Sequence, residues 1–144
     1  MTAKITTLTR YPEKGEPGIA SPELTLIAGR GIEGDCHRDS PRPVSLLLAE
    51  ARRWMESQPE KGLCFGRFRE NILIEGLSPE ALIANCTLTV GDAALHILAD
   101  SKYCFHECRY FSEETPCPLS IGARFATVLQ DGVIRIGDEI RLVE

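Results

Sequence analysis

Short apolar runs, broken every few residues by glycine, proline or aspartate, set the rhythm of this chain. Residues 4–9 are rich in β-branched side chains and residues 24–28 form an apolar run, with the Pro- and Gly-bearing stretch 11–22 between them. Both read as strands. Residues 44–48 are again apolar, and strong helix formers follow over 49–56 until Pro59, which predicts a strand running into a helix. Ala51, Trp54 and Met55 share one face of that helix, the spacing of core packing. Asn71-Ile72-Leu73-Ile74, within 70–75, reads as a buried strand. Ser78-Pro79-Glu80 then places a hydroxyl cap and a proline at the start of a helix of about one or two turns. Residues 87–90, 94–98, 125–129, 133–136 and 140–143 complete the strands, with turn signals at Gly91-Asp92, Asp131-Gly132 and Gly137-Asp138. So many short strands with only two modest helices predict a mainly β fold, a predominantly antiparallel sheet curled into a β-barrel, over a doubly wound α/β arrangement.

Composition sharpens this picture. The chain has 144 residues, 43% of them hydrophobic, enough for an independent core without disulfide staples. Its sequence has no internal repeat, low-complexity tract or linker, so residues 1–144 read as a single domain. Lys and Arg number 16 against 21 Asp and Glu, a net charge of -5, which removes the broad basic field of a non-specific nucleic-acid binder. Met1-Thr2-Ala3-Lys4-Ile5 carries no apolar signal core, and no later uncharged stretch is long enough to cross a bilayer. The expectation is a soluble, cytoplasmic protein with neither a membrane nor a nucleic-acid partner. In that reducing compartment Cys36, Cys64, Cys86, Cys104, Cys108 and Cys117 read as thiols or metal ligands rather than a disulfide framework. Cys86, in an apolar context, reads as core filling.

Candidate chemistry gathers in a few stretches. Cys104-Phe105-His106-Glu107-Cys108, with Cys117 just before Pro118, brings together thiols and an imidazole that can bind a metal, carry sulfur or attack an electrophile. The loop Gly29-Arg30-Gly31-Ile32-Glu33-Gly34-Asp35-Cys36-His37-Arg38 has glycines that let the backbone turn and expose N–H groups. Arg30, Arg38 and nearby Arg42 can there meet an anion; a surface turn with solvated arginines fits as well. Asp35 and His37 form either an oriented acid–base or ligand pair, or a structural hydrogen bond across the loop. Arg67, Arg69 and Asn71 alternate on entering a strand and so share one face, where two guanidinium groups and a carboxamide can converge on a phosphate or on a heterocycle's amide edge. Solvent-facing arginines and an Asn71 bonded to a neighbouring turn are the ligand-free reading.

Taken in order, Gly31-Ile32-Glu33-Gly34-Asp35-Cys36-His37, Arg42-Pro43-Val44-Ser45-Leu46-Leu47, Phe68-Arg69-Glu70-Asn71-Ile72 and a cysteine beyond the strand that follows Val90-Gly91-Asp92 resemble the MOSC domain. That is the carboxy-terminal domain of molybdenum cofactor sulfurases, found also as stand-alone proteins, and the closing stretch 122–140 is similar to the short stand-alone members. The resemblance implies a MOSC-type β-barrel with a few short helices. It also implies a pterin-based molybdenum cofactor as ligand, with Gly34, Asp35, His37, Arg42, Ser45, Arg69 and Asn71 as its pocket. The family's cysteine falls on Cys104, where the resemblance implies a persulfide or, as in related reductases, a molybdenum ligand, both reasonable chemistry for a thiolate. Two departures stand out. Pro43 occupies a position where the family often has glutamine, and Asp100-Ser101-Lys102-Tyr103-Cys104 replaces the usual Pro-Arg-x-Pro-Cys approach. Lys102 then becomes the candidate cation for the Cys104 thiolate or the cofactor phosphate, with a solvated lysine as the alternative.

The function expected from this resemblance is a molybdenum cofactor-binding protein acting in sulfur transfer through a persulfide on cysteine, or in molybdenum-dependent chemistry. Sulfurtransferase-type and molybdenum-dependent oxidoreductase activity both stay open. Cys108 and Cys117 are additions to the family's single cysteine; Cys104 and Cys108 can share a helical face and support a resolving disulfide. The chain is too short to hold a pyridoxal-phosphate desulfurase domain as well. Sulfur is therefore expected from a cysteine desulfurase, with its own pyridoxal phosphate, or from another donor, and to pass to a molybdoenzyme acceptor. Two alternatives accompany this reading. One is a zinc-stabilised small binding module using Cys104, His106, Cys108 and Cys117, although their loop lengths do not match paired Cys-x-x-Cys sites. The other is a non-catalytic molybdenum cofactor carrier.

Overall fold

The computed structural model describes residues 3–60, 62, 68–99, 108, 109, 112, 114 and 117–143. Its elements are β1 (Ala3–Arg10), β2 (Ile19–Ala20), β3 (Glu23–Ile27), β4 (Gly31–Ile32), β5 (Val44–Leu48), α1 (Ala49–Ser57), β6 (Ile72–Glu75), a 3₁₀ turn (Pro79–Ala81), β7 (Thr87–Val90), β8 (Ala93–Ile97), α2 (Pro118–Gly122), β9 (Ala123–Gln130), β10 (Gly132–Arg135) and β11 (Glu139–Val143). Seven strands close on themselves in the order β1, β11, β7, β8, β9, β5, β6 and back to β1, while β2 extends the β1 edge. The expected mainly β barrel is what forms. β10, β3 and β4 make a separate antiparallel sheet. Barrel pairings are antiparallel except between β5 and β6, which run parallel, Leu46 facing Ile72 and Leu48 facing Ile74, with α1 in the crossover.

That parallel pair explains the continuous apolar runs in the sequence, because both of its faces are covered. Leu46, Leu48, Ile72 and Ile74 join Ile5, Leu8, Leu88, Leu95 and Ile97 in the main core. Leu47 and Leu73, on the other face, pack with Ala51 and Met55 of α1, Leu119 of α2 and Cys117. Trp54 covers the same outer cluster, so the helical face predicted from its spacing is the packed one. Leu24, Leu26, Ile32 and Ile134 of the small sheet belong to the main core, which makes both sheets parts of one hydrophobic unit.

Three local expectations change. Asp131-Gly132 is no hairpin: β10 pairs with β3 rather than with β9, and Asp131 Oδ1 instead accepts the Ala28 N–H at 2.6 Å. Ser78 makes no capping hydrogen bond, and the helix behind it is a single 3₁₀ turn. The five-residue α2, with Pro118 in its first turn, is too short to show a helical period in the sequence. By contrast Gly91-Asp92 is a true two-residue hairpin, Val90 facing Ala93, and the positive φ of 57° at Gly91 marks the glycine-first turn type. Arg124 stitches the helical pieces to the barrel: its guanidinium donates to the carbonyls of Pro79, Leu82, Ile121 and Ala123. Among the described residues no helix is long and apolar enough to cross a membrane.

The passage from β9 to β10 brings two backbones together. A Cβ added to Gly132 would lie 2.6 Å from the Ala93 nitrogen and 2.8 Å from its Cβ. Gly132→Ala is therefore expected to destabilise the protein by about 1–3 kcal/mol, read as a lower urea midpoint at an unchanged m-value. A wild-type midpoint would show that the strands separate without cost.

Candidate functional site

Because β5 and β6 are parallel with Leu46 facing Ile72, the residues just before these, Ser45 and Asn71, meet at one end of the barrel. The two are joined several times over. Asn71 N–H donates to Ser45 O at 2.9 Å with Ser45 Oγ also 3.0 Å away, Ser45 N–H donates to Asn71 Oδ1 at 3.0 Å, and the Ser45 hydroxyl donates to the Arg69 carbonyl at 2.8 Å. Asn71 Nδ2 donates to Thr9 O and to Asp35 Oδ1, both at 3.0 Å. Asp35 is only 1% exposed, so its charge needs internal donors. Besides Asn71 it receives the Tyr11 N–H at 2.8 Å and the His37 N–H at 3.0 Å. His37 is half-exposed, its Nδ1 3.5 Å from Asp35 Oδ2 and 3.4 Å from Cys36 Sγ.

Over this network opens a cavity of about 450 Å³, within the size range of small-ligand sites. His37, Arg42, Ser45, Arg69 and Asn71 line it, together with Phe68, which opens the third motif, and with Lys14, Gly15 and Phe125, none of the last four expected as a site residue. Phe68 and Phe125 meet edge to face with centroids 6.0 Å apart, and the Arg42 guanidinium lies over the Phe125 ring at 4.6 Å. Arg69 sits over the Tyr11 ring at 5.8 Å and donates to the Glu16 carbonyl. Nearby carboxylates are engaged elsewhere. Arg52 grips both oxygens of Glu70 at 2.6 and 2.7 Å, and Asp35 is buried behind the wall. Lys14, Arg42 and Arg69 therefore give this cavity a positive lining in a chain of net charge -5, an arrangement suited to an anion. The Tyr11 hydroxyl donates to the Glu70 carbonyl at 3.0 Å; burial first, then the Glu70 charge, pushes its pKa up to about 12.

The family model for the MOSC domain matches residues 33–141. The chain belongs to the MOSC domain family. This family is associated with molybdenum cofactor binding or sulfur transfer. Its barrel is similar to the YuaD protein of Bacillus subtilis, at 19% identity and a TM-score of 0.70, with 99% of this chain and 96% of that one covered. YiiM of Escherichia coli aligns at 18% identity and a TM-score of 0.62, over 100% of this chain and 70% of YiiM. YiiM of Geobacillus stearothermophilus aligns at 17% identity and the same TM-score of 0.62, over 99% of this chain and 75% of that one. At these identities the likeness is one of fold. No curated protein matches the chain.

Within this MOSC barrel the sequence-derived site residues divide. Five of them meet in the cavity: His37, Arg42, Ser45, Arg69 and Asn71. Asp35 stands behind the wall as its anchor. Gly34 does not line the cavity; it turns the loop at φ +82°, with the Arg10 side chain against it. Arg30 pairs with Asp39 at 2.8 Å, and Arg38 lines a separate surface recess. Cys86 packs against the main core as expected. Cys108 and Cys117 are both buried, and Cys117 belongs to the outer apolar cluster. Cys104, Lys102, His106, Arg67 and Cys64 lie outside the described residues. Of the lining residues outside the motifs, Phe125 is the cross-strand partner of Ser45, a relation legible only once β9 is known to pair with β5. Lys14 lies in an irregular loop and carries no sequence signal of its own.

Replacing Asp35 by Asn sets an amide NH₂ against N–H donors that now meet a carboxylate. Asp35→Asn is expected to cost about 1–3 kcal/mol in chemical denaturation; unchanged stability would mean that other contacts hold the loop. Tyr11 gives a pH signature. Its pKa is raised in the folded state, so its contribution to stability is complete below the ordinary value of 10.0 and is lost as pH rises toward 12. Urea midpoints followed through that window should fall for wild type by an amount that Tyr11→Phe does not show.

Proposed function

We propose that the cavity binds the pterin-based molybdenum cofactor and that Cys104 supplies the reactive thiol. The observation that carries this reading is the convergence of His37, Arg42, Ser45, Arg69 and Asn71, drawn from three separate sequence motifs, on one cavity of about 450 Å³. Its chemistry fits the group. Arg42 and Lys14 answer the charge of a phosphate, while Phe68 and Phe125 offer apolar ring surface to a flat heterocycle. Asn71 contributes differently from what its spacing suggests: its amide is engaged with Ser45, Thr9 and Asp35, so it acts by fixing the wall. When bound, the cofactor supplies a molybdenum centre for redox chemistry or as acceptor of sulfur.

In the sulfur-transfer form of this proposal, the Cys104 thiolate attacks the terminal sulfur of a donor's persulfide. The donor's S–S bond breaks, its thiolate leaves, and Cys104 holds the sulfur as a new persulfide with no net oxidation. Lys102 stabilises the thiolate by its charge. A cysteine desulfurase carrying its own pyridoxal phosphate is the donor class that fits, and a molybdoenzyme the acceptor class. In the metal-ligating form the same thiolate is a soft donor to molybdenum. The zinc-module alternative gains nothing from Cys117, which packs among apolar side chains.

Mass spectrometry after incubation with a persulfide donor should show one added sulfur on Cys104 and none in Cys104→Ser, whose cofactor binding should be largely retained. Arg42→Ala should weaken cofactor binding by about 10- to 100-fold, the weight of one charge-assisted contact. An unmodified Cys104 together with no bound pterin would sink the reading.

A further inference from the structure

Cys36 lines no part of the cavity, yet it sits between the two residues that link the cavity rim to its anchor. We propose that Asp35, Cys36 and His37 form a mononuclear site for a borderline divalent cation of the zinc type, at the rim of the cavity and distinct from the cofactor. The three residues offer a carboxylate oxygen, a sulfur and a ring nitrogen, all within 4.8 Å of one another. Cys36 Sγ lies 3.4 Å from His37 Nδ1, and His37 Nδ1 lies 3.5 Å from Asp35 Oδ2. Zinc bonds of about 2.3 Å to sulfur and about 2.0–2.2 Å to nitrogen and oxygen set neighbouring ligands of a tetrahedron roughly 3.4–3.6 Å apart. Two edges of the triangle, those that meet at His37 Nδ1, therefore already have the lengths of a site, and closing the third, which lies within 4.8 Å, brings Cys36 Sγ toward Asp35.

Asp35 makes such a site rigid. Its Oδ1 accepts the Tyr11 N–H and the Asn71 amide, and its Oδ2 accepts the His37 N–H, which leaves Oδ2 a further lone pair. A carboxylate oriented by outer N–H donors is the usual partner of a bound metal. Burial grades from Asp35, fully enclosed, through a partly exposed Cys36 to a half-exposed His37. A cation there is backed by protein on one side and reached from solvent on the other. Three protein ligands leave a position for water or an exogenous ligand. The mixed sulfur, nitrogen and oxygen set selects zinc or cobalt over magnesium or calcium, which take oxygen ligands. Binding exchanges the thiol proton for the metal, one H⁺ released per cation. None of this rests on the proposed cofactor, and only His37 is common to both.

The thiols of the 104–117 stretch are removed by working in the full chain carrying Cys104→Ser, Cys108→Ala and Cys117→Ala, while Cys64 and Cys86 are kept in every protein compared. Titrated with Co²⁺ alone, this variant should bind one equivalent with a thiolate-to-cobalt charge-transfer band. Adding Cys36→Ser should abolish the band and weaken Zn²⁺ binding in competition by more than about 100-fold, beyond what the loss of an outer-shell partner costs. Metal-free Cys36→Ser should keep the wild-type urea midpoint, so that the loss is one of ligation and not of folding. Absence of the band in the three-site variant, or its survival after Cys36→Ser, overturns the proposal. Should the three-site variant not fold, wild type and Cys36→Ser are compared directly. A drop of one cobalt equivalent supports the site and no drop overturns it.

Discussion

Asp35 carries a charge with only 1% of its surface open to solvent, and that condition organises one end of the molecule. A buried carboxylate must be supplied with donors or it destabilises the fold by several kcal/mol. Here the donors come from the end of β1, the residue entering β6 and the carboxylate's own loop: Tyr11 N–H, Asn71 Nδ2 and His37 N–H. Satisfying one charge thus fixes the positions of three segments that are remote in sequence. Through Asn71 the constraint passes to Ser45 and so to the register of the parallel pair. The end of the barrel and the wall of the cavity are held by the same bonds.

The electrostatics of the cavity depend on where the acids go. The chain is acidic overall, yet Lys14, Arg42 and Arg69 face the cavity while Glu70 is held by Arg52. Arg69 has a second task, since it donates to Glu16 and covers Tyr11 and so ties the 11–18 loop to the β6 entrance. Gly18 lets that loop lie close: a Cβ there would come within 2.5 Å of the Thr9 side chain and of the Tyr11 ring. Lys14, Arg42 and Arg69 all line the cavity, and the loop that carries Lys14 keeps its place through Arg69.

Which parts of this could be read from the residues follows from the range of the interactions involved. β5, β6 and α1 were legible because each is a local pattern: continuous apolar runs mark strands covered on both faces, and Ala51, Trp54 and Met55 mark the packed side of a helix. Barrel closure was not specified locally. It rests on β1 and β11 pairing near the two ends of the chain, Ala3 with Ile140 and Lys4 with Glu139. Asp131-Gly132 has the composition of a hairpin turn, but the strand beyond it finds β3, and no short window contains that choice. In the site, period-two spacing puts Arg69 and Asn71 on one face and both line the cavity, yet spacing does not reveal that the Asn71 amide is already satisfied by protein. Lys14 and Phe125 reach the cavity only through tertiary pairing, so no motif could name them.

Neighbouring residues of β9 serve the cavity and the pieces packed around the barrel. β8 lies beside β9, and beyond their paired residues Leu98 N–H donates to the Phe125 carbonyl at 2.9 Å. Phe125 is itself cavity wall. Its neighbour Arg124 donates to the carbonyls of Pro79 and Leu82, so one stretch of β9 serves both the wall and the 3₁₀ turn. Successive residues of a strand point to opposite faces, so a change at Phe125 would alter the cavity wall and leave the Arg124 bonds in place. Wall and scaffold are for that reason separable at this point of the strand.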